Sequence, residues 1–71
     1  MENLSSRLQQ LRLSRGCSKT ALAKAVGVSR RTVYAWEVDS KEPTISNIIQ
    51  LAKFYRISTD ELLGLTDDLH N

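Results

Sequence analysis

Arg30 and Arg31 stand side by side in the run Ser29-Arg30-Arg31-Thr32-Val33-Tyr34-Ala35-Trp36-Glu37. Each planar guanidinium can hold a phosphate through paired hydrogen bonds, or donate to O6 and N7 of one guanine, the latter worth about 1–3 kcal/mol against a wrong base. Thr32 and Ala35 add methyl groups able to meet the methyl of thymine, and Tyr34 can reach a base or a backbone oxygen. Cations in the first turn of a helix oppose its dipole, by about 0.3–1 kcal/mol each at an exposed site. A polyanion reverses that sign.

The elements that position these groups are legible in the apolar spacing. Val33 and Trp36 are three apart and form the inward stripe of a helix that Ser29 can cap, which leaves both arginines facing out. Upstream, Leu22 and Val26 share one face of a helix running from Lys19 to Val26. Gly27 supplies a positive φ where the chain reverses, Val28 fills the corner, and the small Ala23 lets two helix backbones approach. Taken alone, the arginines read equally well as ordinary solvated charges. Taken with the preceding helix and glycine turn, they form a helix-turn-helix that docks in DNA.

The remaining chain reads as helices throughout. Asn3 or Ser5 caps a first helix with Leu4, Leu8 and Leu11 inward, ending near Gly16. The third helix runs from Arg30 to about Val38, and a polar connection from Asp39 to Glu42 is closed by Pro43. Thr44 caps a fourth helix with Ile45, Ile48, Leu51, Ala52 and Tyr55 on one face, and Ile57 packs below it. Ser58 and Glu61 form a capping box for a short fifth helix, with Leu62 and Leu63 as its apolar contacts and Gly64 as its stop. The expected fold is all-α, a compact five-helix single domain over 1–71, ordered over about 4–64. The tail 65–71, with Asp67, Asp68 and His70, is expected to be loose and solvated.

These pieces, in this order, resemble the helix-turn-helix domain of the phage Cro and repressor family, from about Leu4 to Gly64. The matching segments are Arg7 to Arg12, Ser18 to Glu37, Pro43 before the fourth helix, and Ser58 to Gly64. The resemblance implies a lambda-repressor-like fold with helices 2 and 3 as the DNA-docking pair. It also implies an ion pair of Arg12 and Glu37 where the first helix meets the end of the third. Three positions depart from the family pattern. Lys19 replaces a usual Gln and has no acceptor to orient a neighbour, Cys17 replaces an apolar residue, and Arg56 stands where Gly or Asn commonly supplies a positive φ.

Composition narrows the function classes. The net charge is only +2, but eight basic residues face three acidic ones up to Lys41, and two face five from Glu42 onward. The first part can therefore meet phosphates while the later part faces away. The expected base contacts are Arg30, Arg31, Thr32, Tyr34 and Ala35; the expected phosphate contacts are Lys19, Ser29, Ser40, Lys41 and Thr44, the last at a helix N-terminus. One cysteine excludes an internal disulfide and fits a reducing cytoplasm, and Cys17 reads as a small core or hinge residue, with redox sensing as the sharper alternative. No apolar run is long enough for a bilayer and no signal segment is present, so a soluble cytoplasmic protein is expected. No metal cluster, phosphate-binding glycine loop or paired carboxylate is seen, so neither a cofactor nor an enzyme activity is expected.

A domain of this size covers one operator half-site, which points to a homodimer on a palindromic or pseudo-palindromic site. Ile49, Phe54, Leu62 and Leu65 are the expected interface, although Leu62 serves internal packing equally well. The expected function is a sequence-specific double-stranded DNA-binding regulator, a repressor in its simplest form. The alternative is an antitoxin or antirepressor-type protein whose acidic end binds a protein partner and whose DNA binding is autoregulatory.

Overall fold

Five short polar side chains start five helices. In the computed structural model, which describes residues 3–65, these are α1 Leu4–Ser14, α2 Lys19–Val26, α3 Arg30–Glu37, α4 Ile45–Tyr55 and α5 Thr59–Leu63, with no strand among the described residues. Asn3, Ser18, Ser29, Thr44 and Ser58 each hold an extended backbone and accept the N–H of the residue three further on. Each such cap contributes about 1 kcal/mol by satisfying a donor the helix cannot. At α5 the capping box is reciprocal, Glu61 Oε1 accepting the Ser58 N–H at 3.1 Å.

The stops are equally local. Gly27 and Gly64 end α2 and α5 in the left-handed conformation. Arg56 ends α4 at φ 59 and ψ 43, where a side chain costs roughly 1–2 kcal/mol. Arg56→Gly is therefore expected to raise stability by about 1 kcal/mol, part of the relief being lost to the freer unfolded chain. A urea titration that shows a lower midpoint for this variant would refute the strain.

The helices close on one core. Leu22, Val33, Trp36, Leu51 and Leu62 are buried at its centre, with Leu8, Ile48 and Tyr55 around them and Leu4, Leu11, Cys17, Val28 and Ile57 partly buried at its edge. Two sequence expectations fail here. Ile45 is 79% exposed rather than inward, because it is the first residue of α4 and overhangs the core at that end. Leu62 is fully buried in the core and offers nothing to a partner, since α5 packs against both α4 and α1 through it. The third helix stops at Glu37, one residue short, with Val38 as its cap. Residues 66–71, and with them Asp67, Asp68 and His70, lie outside the described residues.

Arg7 in α1 and Arg15, the residue that caps its C-terminus, hold the ends of other helices. Arg7 Nε donates to the carbonyls of Glu61 and Leu62 at 2.9 and 3.0 Å, and its Nη2 also donates to Glu61. Arg15 Nη1 donates to the Tyr55 carbonyl at 3.0 Å, with the guanidinium 5.4 Å from the Tyr55 ring centre. Both groups sit at helix C-termini, where unsatisfied carbonyls and the helix dipole favour a cation.

Tyr55 carries an unmet hydrogen bond. Its hydroxyl is buried without a partner, and burial pushes the phenol up to about 12 from its ordinary 10.0. Removing an orphaned polar group relieves its desolvation, so Tyr55→Phe is expected to be neutral or to stabilise by about 1 kcal/mol at pH 7. The folded phenol holds its proton more tightly than the unfolded one. Its contribution to the pH dependence is thus full below pH 10 and is lost as pH rises towards 12. Unfolding curves of the parent and Tyr55→Phe should diverge across that window, the parent losing stability faster.

Candidate nucleic-acid interface

The turn between α2 and α3 is built from three residues. Gly27 takes φ 78, the Gly27 and Val28 amides both donate to the Ala23 carbonyl at 2.9 and 3.0 Å, and Ser29 opens α3 at once. Val33 and Trp36 anchor α3 in the core, and α3 packs chiefly on α2. With that face fixed, Arg30 and Arg31 project from the first turn into solvent and Tyr34 is 43% exposed one turn on. Thr32 and Ala35 are half-buried between these faces.

Two concavities flank Arg31. One, of about 320 Å³, is lined by Arg30, Arg31 and Tyr34. The other, of about 190 Å³, is lined by Ser29, Arg31, Thr32, Ala35 and Lys41. Lys41 reaches it because the chain after α3 folds back, the Lys41 amide donating to the Ala35 carbonyl at 3.1 Å and Ser40 taking a left-handed φ of 57. The sequence places Ser40 and Lys41 in a loop but gives no sign of this return, since serine is not a residue that announces a left-handed turn. Lys41 and Ser40 also line a third cleft of about 210 Å³ beside Asn3 and Ser5 at the start of α1. Of the other anticipated phosphate contacts, Lys19 is half-buried at the first position of α2, and Thr44 is exposed with its hydroxyl oxygen accepting the Asn47 amide.

Behind this surface, Arg12 and Glu37 meet as a two-toothed ion pair. Arg12 Nε and Nη2 donate to the two Glu37 carboxylate oxygens at 2.8 and 3.0 Å, and Nη1 donates to the Cys17 carbonyl at 2.9 Å. Both side chains are almost wholly buried. The Glu37 hydrogen bond holds the Arg12 guanidinium above its ordinary range, against the opposing effect of burial. The pair fastens the last residue of α3 to α1, and through Arg12 to the α1–α2 connection at Cys17.

The anticipated interface residues separate. Ile49, Phe54 and Leu65 are exposed while Leu62 is not. On α4, Ile45 and Ile49 share one flank, and Phe54 lies about 140° round the helix from Ile49. Leu63, expected beside Leu62 as an apolar contact of α5, is exposed instead, because only one of two adjacent helix positions can face the core.

A protein-family model described as helix-turn-helix matches residues 8–62. The chain belongs to the helix-turn-helix family. Among the relatives of this helix-turn-helix chain is the uncharacterized HTH-type transcriptional regulator YobD of Bacillus subtilis, 37% identical over 62 residues that make up 87% of this chain and 55% of that protein. The cryptic phage CTXphi transcriptional repressor RstR of Vibrio cholerae is 32% identical over 60 residues, 84% of this chain and 54% of its own length. The chain thus spans about half the length of these curated relatives. Among solved structures, the P22 c2 repressor protein in complex with a synthetic operator superposes with a TM-score of 0.81 at 32% identity, over 89% of this chain and 96% of that one. The shared architecture is the five-helix, lambda-repressor-like domain. No described helix is long and apolar enough to cross a membrane.

Proposed function

We propose that this helix-turn-helix chain is a sequence-specific double-stranded DNA-binding regulator of transcription, of repressor type, which lays α3 in the major groove. The observation that carries the reading is the exposed Arg30–Arg31 turn, held out by an α2–α3 pair of the kind found in a repressor solved on its operator. In this reading Arg31, between the two concavities, reads a guanine, with Thr32, Ala35 and Tyr34 beside it on the base edges. Arg30, Lys19, Ser29, Ser40, Lys41 and the N-terminus of α4 at Thr44 hold phosphates and set the register.

Of the eight cations up to Lys41, Arg12 is neutralised by Glu37, and Arg7 and Arg15 are held in place by backbone carbonyls, so the cations free to reach for phosphates are Lys19, Lys24, Arg30, Arg31 and Lys41. Selection of bound sites from random duplex DNA at a fixed salt concentration tests the proposal. An enriched, two-fold-related motif supports it, and failure to enrich any sequence overturns it.

The symmetric site calls for a homodimer, built on the side of the molecule away from α3. Phe54, 40% exposed and stacked edge-on against Tyr55 with ring centres 5.1 Å apart, is its proposed anchor, with Leu65 after α5 and Ile49 on another flank of α4 as further exposed apolar residues. Phe54→Glu is expected to shift sedimentation to the monomer and weaken binding to the full motif at least about tenfold, a loss of roughly 1.4 kcal/mol. An unchanged dimer in that variant would remove Phe54 from the interface.

A further inference from the structure

One corner of the core gathers polar groups. The Cys17 amide donates to the Arg12 carbonyl at 3.1 Å and the Cys17 carbonyl accepts from Arg12 Nη1 at 2.9 Å, so the residue is fixed on both sides beside the buried Arg12–Glu37 pair. Its thiol is free and half-buried, with the Ser18 carbonyl 3.5 Å from Sγ. Tyr55 enters the same corner from the end of α4, where Arg15, two residues before Cys17, bonds its carbonyl and lies over its ring. Tyr55 is 2% exposed, and its hydroxyl has no partner among the described residues. After burial itself, the group that acts most on that phenol is the Cys17 thiol, ahead of Glu37, Arg12 and Arg15, which places the hydroxyl end of the ring towards the thiol. Protonated at neutral pH, the hydroxyl is a donor with nothing to receive it.

We infer that Cys17 is a modification site for a small hydroperoxide, and that the Tyr55 hydroxyl holds the product by donating a hydrogen bond to the oxygen added to sulfur. The Cys17 sulfur attacks one oxygen of hydrogen peroxide. An S–O bond forms as the O–O bond breaks, the sulfur is oxidised by two electrons, and the other oxygen leaves with the thiol proton as water, giving a sulfenic acid. In the reduced protein the sulfur is not bonded to the hydroxyl, and the new oxygen extends the side chain by one bond towards it. Half-burial leaves the sulfur open to a small oxidant. These 71 residues hold no second cysteine to condense with the product, so its persistence depends on what hydrogen-bonds it. A donor at the S–O group draws electron density from it and slows the second oxidation, to the irreversible sulfinic acid. The inference involves no residue of the DNA-facing side of α3 and holds whether or not the chain binds DNA.

The test treats the full chain with hydrogen peroxide and follows the sulfenic acid over time by mass spectrometry, as its adduct with a cyclic diketone that does not register oxidation of Met1. The folded parent should form the adduct at Cys17 and keep its sulfenic acid about fivefold longer than Tyr55→Phe does, the effect of one hydrogen bond. Loss of the free thiol should run at the same rate in both, because the phenol acts on the product and not on the attack. Trp36 fluorescence checks that the variant is folded, and in urea, where the corner is gone, parent and variant should lose the sulfenic acid equally fast. Absence of an adduct in the folded parent would overturn the assignment. So would equal persistence in folded Tyr55→Phe, a difference that survives in urea, or oxidation that ends only in disulfide-linked chains.

Discussion

Glu37→Ala should lower the folding stability by about 3–5 kcal/mol, the cost of stranding one charge of a buried ion pair. The variant leaves the Arg12 guanidinium buried with the Cys17 carbonyl as its remaining partner, at the junction of α1 and α3. A chain of this length has roughly 4–10 kcal/mol in total on a per-residue basis, so the change consumes a large share of it. Urea unfolding followed by the fluorescence of Trp36, one residue before Glu37, reads the loss directly. A drop below about 1 kcal/mol would mean that water reaches the guanidinium in the variant. Replacing both partners at once, Arg12→Met with Glu37→Leu, is expected to recover most of the stability, because the desolvation of both ions disappears together. The expected worth of the pair is then registry between α1 and the end of α3 and not net stability. The double variant should fold yet bind its site less selectively.

Arg31→Ala should weaken binding to the enriched motif by about tenfold or more and relax the preference at one guanine, on the order of 1–3 kcal/mol. Arg30→Ala is expected to weaken all sequences evenly and to make the dependence of log affinity on log salt shallower by about 1. The two variants together separate base reading from phosphate holding, by selection profile and salt titration on the same protein. If Arg31→Ala also weakens every sequence evenly, Arg31 is a phosphate contact and the central position between two concavities carries no sequence information.

The local signals of the fold were legible in the sequence. The starts of α3, α4 and α5 were marked by capping side chains, that of α1 was left between Asn3 and Ser5, and the turn at Gly27 was marked by the residue type that a left-handed corner favours. The three-to-four spacing located Val33, Trp36, Ile48 and Leu51 in the core for the same reason. What escaped was set by tertiary neighbours. Leu62 and Leu63 are adjacent leucines, and only the packing of α5 between α1 and α4 decides that the first is buried and the second is not. Ile45 obeys the periodicity and is still exposed, because the core ends before it does. At the candidate interface, the residue types and their outward direction on α3 were readable. The approach of Lys41 was not, since it depends on a serine in a left-handed conformation. Arg7 and Arg15 are bonded to carbonyls 54 and 40 residues away, contacts with no local signature.

Those arginines also set an order of events during synthesis. Of the described helices α1 is made before the others, and its Arg12 and Arg7, with Arg15 just after it, are bonded to Glu37, Glu61 and Tyr55, all of which follow later in the chain. With translation proceeding at about 5–20 residues per second, α1 waits some seconds with its cationic groups unoccupied. The bonds of Arg7 can form only once α5 has been made, 54 residues later.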